Sequence, residues 1–141
     1  MRRSVLLLHT GLPPDRGPGD HLDWMLERDA AASRRLVTFR LEVRPDTPDR
    51  SDFVAERIAD HRVAYLDHEG PVSGGRGTVS RLARWDLLGL FEPGPGRLEA
   101  VVSMDGHAYR FMCRADAGGR WRILRLPEPD VGFGSRGVWK R

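Results

Sequence analysis

The sequence predicts a mostly β protein, a small antiparallel β-barrel with little helix. Three observations carry that expectation. Short segments alternate apolar and polar residues, as half-buried strands do. Clusters of Gly, Pro and Asp break these segments at close intervals and leave little room for helices. Asp105-Gly106 stands between two such runs, and that pair suits the positive φ values of a tight hairpin turn.

Taken in order, Ser4 to His9 is apolar and reads as the first strand. Gly11 to Gly19 holds three Pro and three Gly with Asp15 and Arg16 among them, so it forms a loop. His21 to Glu27 alternates cleanly. Leu22, Trp24 and Leu26 face one side; His21, Asp23, Met25 and Glu27 face the other. Asp29 to Ser33 suits a turn or short helix, and Leu36 to Val43 alternates again. Arg44 to Asp49 is a second loop. Phe53 to Ala59 fits a helical turn and an extended segment equally. His61 to Asp67 reads as a strand. The glycine-rich stretch Gly70 to Gly77 leads into a strand over Thr78 to Trp85. Leu98 to Met104 and His107 to Cys113 form the hairpin, and Trp121 to Leu126 closes the set. Trp24, Trp85 and Trp121 are core candidates. The chain of 141 residues divides into one β-barrel domain over 1–126 and a C-terminal tail over 127–141, where Gly and Pro interrupt the sequence before Trp139.

Composition narrows the function. With 40% hydrophobic and 30% charged residues, the chain fits a globular domain, and no apolar run reaches membrane-spanning length. Val5 to Leu8 is too short for a signal peptide and lacks a cleavage site. Cys113 is the single cysteine, which excludes an internal disulfide and a cysteine-rich zinc site. A cytoplasmic, nucleoid-associated monomer with no membrane partner is the expectation. The net charge is +3, carried almost wholly by Arg, with Lys140 the only lysine. Arg suits phosphate through its planar fork, so nucleic acid is the expected partner.

The five histidines include two that sit close to a carboxylate on a segment read as strand. On an extended segment His21 and Asp23 share a face, with apolar residues holding the opposite face in place. His9 joins them if its strand lies alongside. Two imidazoles and a carboxylate suit Mn²⁺, Zn²⁺ or Fe²⁺. His61, Tyr65 and Asp67 share a face on the same geometry. A His titrating near neutrality can donate a proton or hold a phosphate, and a Tyr hydroxyl can bind a phosphate oxygen. Arg76, in the glycine-rich loop, can clamp a phosphate. The solvated face of an antiparallel strand accounts for His21-Leu22-Asp23 equally well, a surface position for His61, and core filling for Tyr65. His68 and His107 carry no assignment.

His21-Leu22-Asp23-Trp24-Met25-Leu26-Glu27 resembles a segment of the 3′-phosphoesterase domain of bacterial DNA ligase D. His61-x-x-x-Tyr65-Leu66-Asp67-x-Glu69-Gly70-Pro71 resembles that family's second motif. Gly74-x-x-Gly77-Thr78-Val79, Trp85-Asp86 and Gly119-Arg120-Trp121-x-Ile123-Leu124 follow in the family's order. The resemblance spans residues 4–126. It implies a small β-barrel enzyme that needs a divalent metal, typically manganese with zinc as the second choice. It implies removal of a 3′-ribonucleotide or 3′-phosphate from nucleic-acid ends, in repair work shared with a DNA ligase or polymerase. His9, His21 and Asp23 would be the metal ligands. His61 and Tyr65 would bind the phosphate, with His61 assisting proton transfer.

Three departures accompany the resemblance. Twelve positions separate His9 from His21, a wider gap than the family's, with the Pro/Gly-rich loop between them. The family's phosphate-binding Arg falls on Met25, and Arg76 or Arg28 is the expected substitute. Only eight residues precede His9, fewer than the family's charged N-terminal arm. A non-catalytic module that binds nucleic-acid ends is the alternative function. A metalloenzyme for some other phosphoester is a third.

Overall fold

The computed structural model describes residues 2–15, 17, 19–28 and 35–128. Nine strands occur there: β1 (Arg2–Thr10), β2 (His21–Glu27), β3 (Arg35–Leu41), β4 (Asp52–Arg62), β5 (Gly70–Pro71), β6 (Thr78–Gly94), β7 (Arg97–Met104), β8 (His107–Ala115) and β9 (Trp121–Pro127). The single helical element among the described residues is a 3₁₀ turn, Val63–Leu66. The strands form one sheet in the order β1-β2-β3-β4-β9-β8-β7-β6-β5, and β1 also pairs with β6. That last pairing turns the sheet into a hydrogen-bonded ring, barrel-like and antiparallel throughout. Closure removes the unpaired edges that an open sheet would expose. No helix of the described residues is long and apolar enough to cross a membrane.

The inward-facing residues of these strands make the main core. Leu6, Trp24, Phe39, Leu98, Phe111 and Ile123 are all fully buried in one cluster. Aromatic rings meet there edge to face: Trp24 and Phe111 at 4.9 Å, Phe39 and Trp121 at 5.5 Å. The buried Trp24 Nε1–H donates to Ser4 Oγ at 2.8 Å, so the indole enters the core without an unpaired polar group. Asp105 and Gly106 have φ values of 51° and 79°, and the hairpin between β7 and β8 forms as the sequence predicts. After β9, the Arg110 guanidinium, 3% exposed, holds both carboxylate oxygens of Glu128 at 2.7 and 3.1 Å, and it also reaches Glu99 at 2.8 Å. The turn or short helix expected over Asp29 to Ser33, and the tail beyond Glu128, lie outside the described residues.

A second, smaller core lies on the outer face of the same strands. Val5, Leu7, Met25 and Leu36 alternate with the inward set and pack against Leu66, Val72 and Val79. The segment from Val63 to Gly77 therefore folds back over β1, β2 and β3 as a cover. This explains the main departure from expectation. His61 to Asp67 is not a strand: β4 ends at Arg62 and the chain turns into the 3₁₀ helix, which drops Leu66, fully buried, onto the outer face. Asp67 consequently leaves the His61 cluster and faces Arg3 Nη1 at 3.6 Å. Phe53 to Ala59 is extended, because it pairs with β3 on one side and β9 on the other. The strand beginning at Thr78 continues past Trp85 to Gly94, with register shifts between Leu87 and Gly89 and between Phe91 and Gly94. Those irregularities break the alternation that would have revealed it.

Candidate metal centre

Strand register assembles the site. β1 and β2 run antiparallel with His9 opposite His21, and β2 and β3 pair with Asp23 opposite Arg40. His21, Asp23 and Met25 project from β2 onto the outer face. Both sides of this strand are buried, so Asp23 is only 2% exposed rather than solvated. His21 Nε2 lies 3.3 Å from Asp23 Oδ1, and His9 Nδ1 lies 3.7 Å from Asp23 Oδ2. The two imidazole rings are 5.0 Å apart. One ligand atom from each of His9, His21 and Asp23 falls within 4.8 Å of the others.

Backbone carbonyls fix which nitrogen of each ring faces the carboxylate. His21 Nδ1–H donates to the Gly19 carbonyl at 2.8 Å, and His9 Nε2–H donates to the Arg76 carbonyl at 2.6 Å. A carbonyl only accepts, so each of these nitrogens carries the proton in the neutral ring. The opposite nitrogens, His21 Nε2 and His9 Nδ1, then present lone pairs toward a carboxylate that also only accepts. This is the arrangement in which a second shell orients metal-binding imidazoles. Among the described residues, three buried side-chain polar atoms have no hydrogen-bond partner: His21 Nε2, Asp23 Oδ1 and Arg40 Nε. An unsatisfied buried polar atom costs about 1–3 kcal/mol. A divalent cation held between them would satisfy the first two at once, and the donor set of His9, His21 and Asp23 fits Mn²⁺ or Zn²⁺.

All three atoms belong to residues lining one cleft of about 180 Å³, which also takes in His61, Tyr65 and Arg76. His61 Nδ1–H donates to the Ala59 carbonyl at 3.0 Å, which leaves Nε2 available to accept a proton. Its ring meets Tyr65 edge-on at 5.3 Å. The predicted pairing of His61 with Tyr65 thus holds through the 3₁₀ turn and not through a shared strand face. Tyr65 in turn meets His68 at 5.8 Å, a histidine to which the sequence assigns no role. Arg76 lines the cleft, but its guanidinium donates to the Ser73 carbonyl at 2.7 Å and to Ser73 Oγ at 3.2 Å, holding its own loop together.

Met25 and Arg28 do not supply the missing guanidinium. Met25 is 1% exposed and belongs to the second core. Arg28 donates to Asp60 at 2.8 Å and to Glu92. The cation that lines the cleft from a strand is Arg40, which sequence reasoning missed. Its one signal in the sequence is an alternation that places Thr38 and Arg40 on one face of β3; the decisive fact, that Arg40 stands opposite Asp23, depends on register.

Gly77 is a further requirement. Its φ is +81°, and a Cβ there would stand 2.2 Å from the Thr10 carbonyl oxygen and 3.3 Å from His9 Nε2. Gly77→Ala must push the loop away from His9 and loosen the Arg76 carbonyl from the ring. The expected outcome is a 10–100-fold loss of Mn²⁺ affinity, the usual effect of removing such an orienting partner, read by calorimetric titration.

Comparison with known protein families finds no family model that matches the chain, and comparison with curated proteins finds no match either.

Proposed function

We propose that this chain is a divalent-metal-dependent phosphoesterase that processes 3′ ends of nucleic acid, removing a terminal 3′-phosphate or 3′-ribonucleotide. The observation that carries the reading is that three buried atoms without a hydrogen-bond partner, His21 Nε2, Asp23 Oδ1 and Arg40 Nε, belong to residues lining one cleft, which His61 also lines. The resemblance of the His21 and His61 motifs to the ligase D phosphoesterase domain supports the same chemistry. His9, His21 and Asp23 hold the cation, Mn²⁺ by preference and Zn²⁺ second. When bound, a divalent cation neutralises phosphate charge as a Lewis acid.

The remaining work falls to the chain's own groups. Arg40 meets the phosphate as the main guanidinium donor, Arg76 contributes less because its guanidinium also holds Ser73, and the Tyr65 hydroxyl donates to a phosphate oxygen. His61, its Nδ1–H anchored on the Ala59 carbonyl, exchanges a proton through Nε2 with the leaving or attacking oxygen. Loss of a terminal nucleoside leaves a 3′-phosphate, and loss of that phosphate leaves the 3′-hydroxyl end that a DNA ligase or polymerase requires; enzymes of those classes at the nucleoid are the partners the chemistry calls for.

The test uses a DNA primer ending in a 3′-phosphate or a single 3′-ribonucleotide, with protein stripped by chelator and then supplied with Mn²⁺. Release of phosphate or nucleoside on Mn²⁺ addition is expected. A folded, Mn²⁺-loaded protein that binds these ends without turnover would reduce the function to end recognition, and one that neither binds nor cleaves them contradicts the proposal.

A further inference from the structure

The cleft at the metal centre, about 180 Å³, is smaller than the roughly 300–1,000 Å³ that encloses a whole small-molecule ligand. It has room for a phosphate and not for the organic body attached to it. A second cavity of about 920 Å³ opens beside it, over the rim where β2, β3, β4 and the turn before β9 end. His21 and Arg40 line both, so the two spaces adjoin at the residues that face the phosphate. A third cavity, about 630 Å³ between Arg44, Asp46 and the middle of β6, shares no residue with either.

The rim cavity has a distinct chemistry. Leu22, Leu41, Val54 and Ala55 give it an apolar surface, and Val54 is 37% exposed there. Asp20, Glu42 and Glu56 give it carboxylates, with Glu56 3.6 Å from Arg40 Nη1 and Asp20 accepting from the Gly11 N–H. Arg40 and Arg120 also line the cavity, but the three carboxylates outnumber them and repel further phosphates, so the cavity does not favour a polyanionic backbone. They accept hydrogen bonds from hydroxyl and amino groups, and the apolar surface takes a flat ring.

We infer that the rim cavity is a nucleoside subsite: it seats the neutral sugar and base of the terminal residue whose phosphate lies at Arg40 and the His9–His21–Asp23 centre. The inference rests on the phosphoesterase reading, which supplies the phosphate, and adds to it the recognition of a terminal nucleoside.

Selective blocking of the cavity tests it. Cys113 is 4% exposed and burial pushes its thiol pKa up, so it resists alkylation in the folded protein. Val54→Cys then offers one reactive thiol, to be capped with a bulky maleimide. Binding of inorganic phosphate and of adenosine 3′-monophosphate to Mn²⁺-loaded protein is measured by calorimetry, before and after capping. The nucleotide is expected to bind at least about tenfold more tightly than phosphate, and the cap to erase that difference while leaving phosphate binding unchanged. Equal binding of the two ligands, or a nucleotide advantage that survives the cap, overturns the subsite and leaves the phosphoesterase reading standing. Failure of both ligands to bind the metal-loaded protein overturns the two together.

Discussion

Asp23→Asn is expected to abolish Mn²⁺-dependent stabilisation while leaving the metal-free protein as stable as the unaltered chain, or about 1 kcal/mol more stable. Most substitutions of a buried, hydrogen-bonded acid destabilise. Here Asp23 Oδ1 has no hydrogen-bond partner, and its neighbour at 3.3 Å, His21 Nε2, presents a lone pair. An amide N–H in the same place donates where the carboxylate only accepts. The metal-free protein thus loses an unsatisfied buried charge, and the metal-loaded protein loses a ligand. Mn²⁺ at a hundredfold excess over its Kd stabilises a protein that binds it only when folded by about 2.7 kcal/mol. For a chain of this size that raises Tm by about 10 °C. Thermal unfolding with and without Mn²⁺ checks both halves: a rise of that order for the natural sequence, none for Asp23→Asn, and no loss of Tm in chelator. A clear fall in the metal-free Tm of Asp23→Asn would show that the carboxylate is held by protein groups and not poised for a cation.

His61→Ala and Arg40→Ala are expected to fail in different ways. His61→Ala should lower turnover of a 3′-phosphate end by about 10²–10⁴-fold, the range for a positioned acid-base group, with Mn²⁺ affinity unchanged. Arg40→Ala removes a charged donor to the phosphate, worth about 1.5–3 kcal/mol, so end binding should weaken by about 10–100-fold. Arg76→Ala should do less than Arg40→Ala, because the Arg76 guanidinium is already engaged with Ser73. Turnover measured beside equilibrium binding separates the three. An Arg40→Ala protein that binds phosphate as well as the natural sequence would remove Arg40 from the site.

The clustering of His9, His21 and Asp23 was legible in the sequence because it needs only period-2 geometry. His21 and Asp23 are two positions apart on a strand whose apolar residues mark the opposite face, and the antiparallel return of β1 brings His9 across from His21. The pairing is made in spite of the twelve positions that separate the two histidines. The second half of the site was legible in its members and not in its geometry. His61 and Tyr65 do meet, but the chain leaves β4 at Arg62 because the outer face of β1 to β3 carries apolar residues that need a cover. A strand reading treats His61, Tyr65 and Asp67 alike; the 3₁₀ turn keeps the first two together and sends Asp67 to Arg3. Nothing local marks that second core, since Val5, Leu7 and Met25 lie on faces an isolated strand would expose to water. Arg40 was invisible for a related reason. It gains its meaning only from standing opposite Asp23, and register is a property of two strands. Gly77 ends a glycine-rich stretch and nothing nearby in the sequence sets it apart, yet its closest constraint is the Thr10 carbonyl on another strand.

Crystals soaked in MnCl₂ give the sharpest test of a cation site at His9, His21 and Asp23. A single strong anomalous peak is expected within coordination distance of His9 Nδ1, His21 Nε2 and Asp23 Oδ1, in the cleft that His61 lines. Well-diffracting soaked crystals with no peak at these three atoms, or with manganese bound only elsewhere, would contradict it.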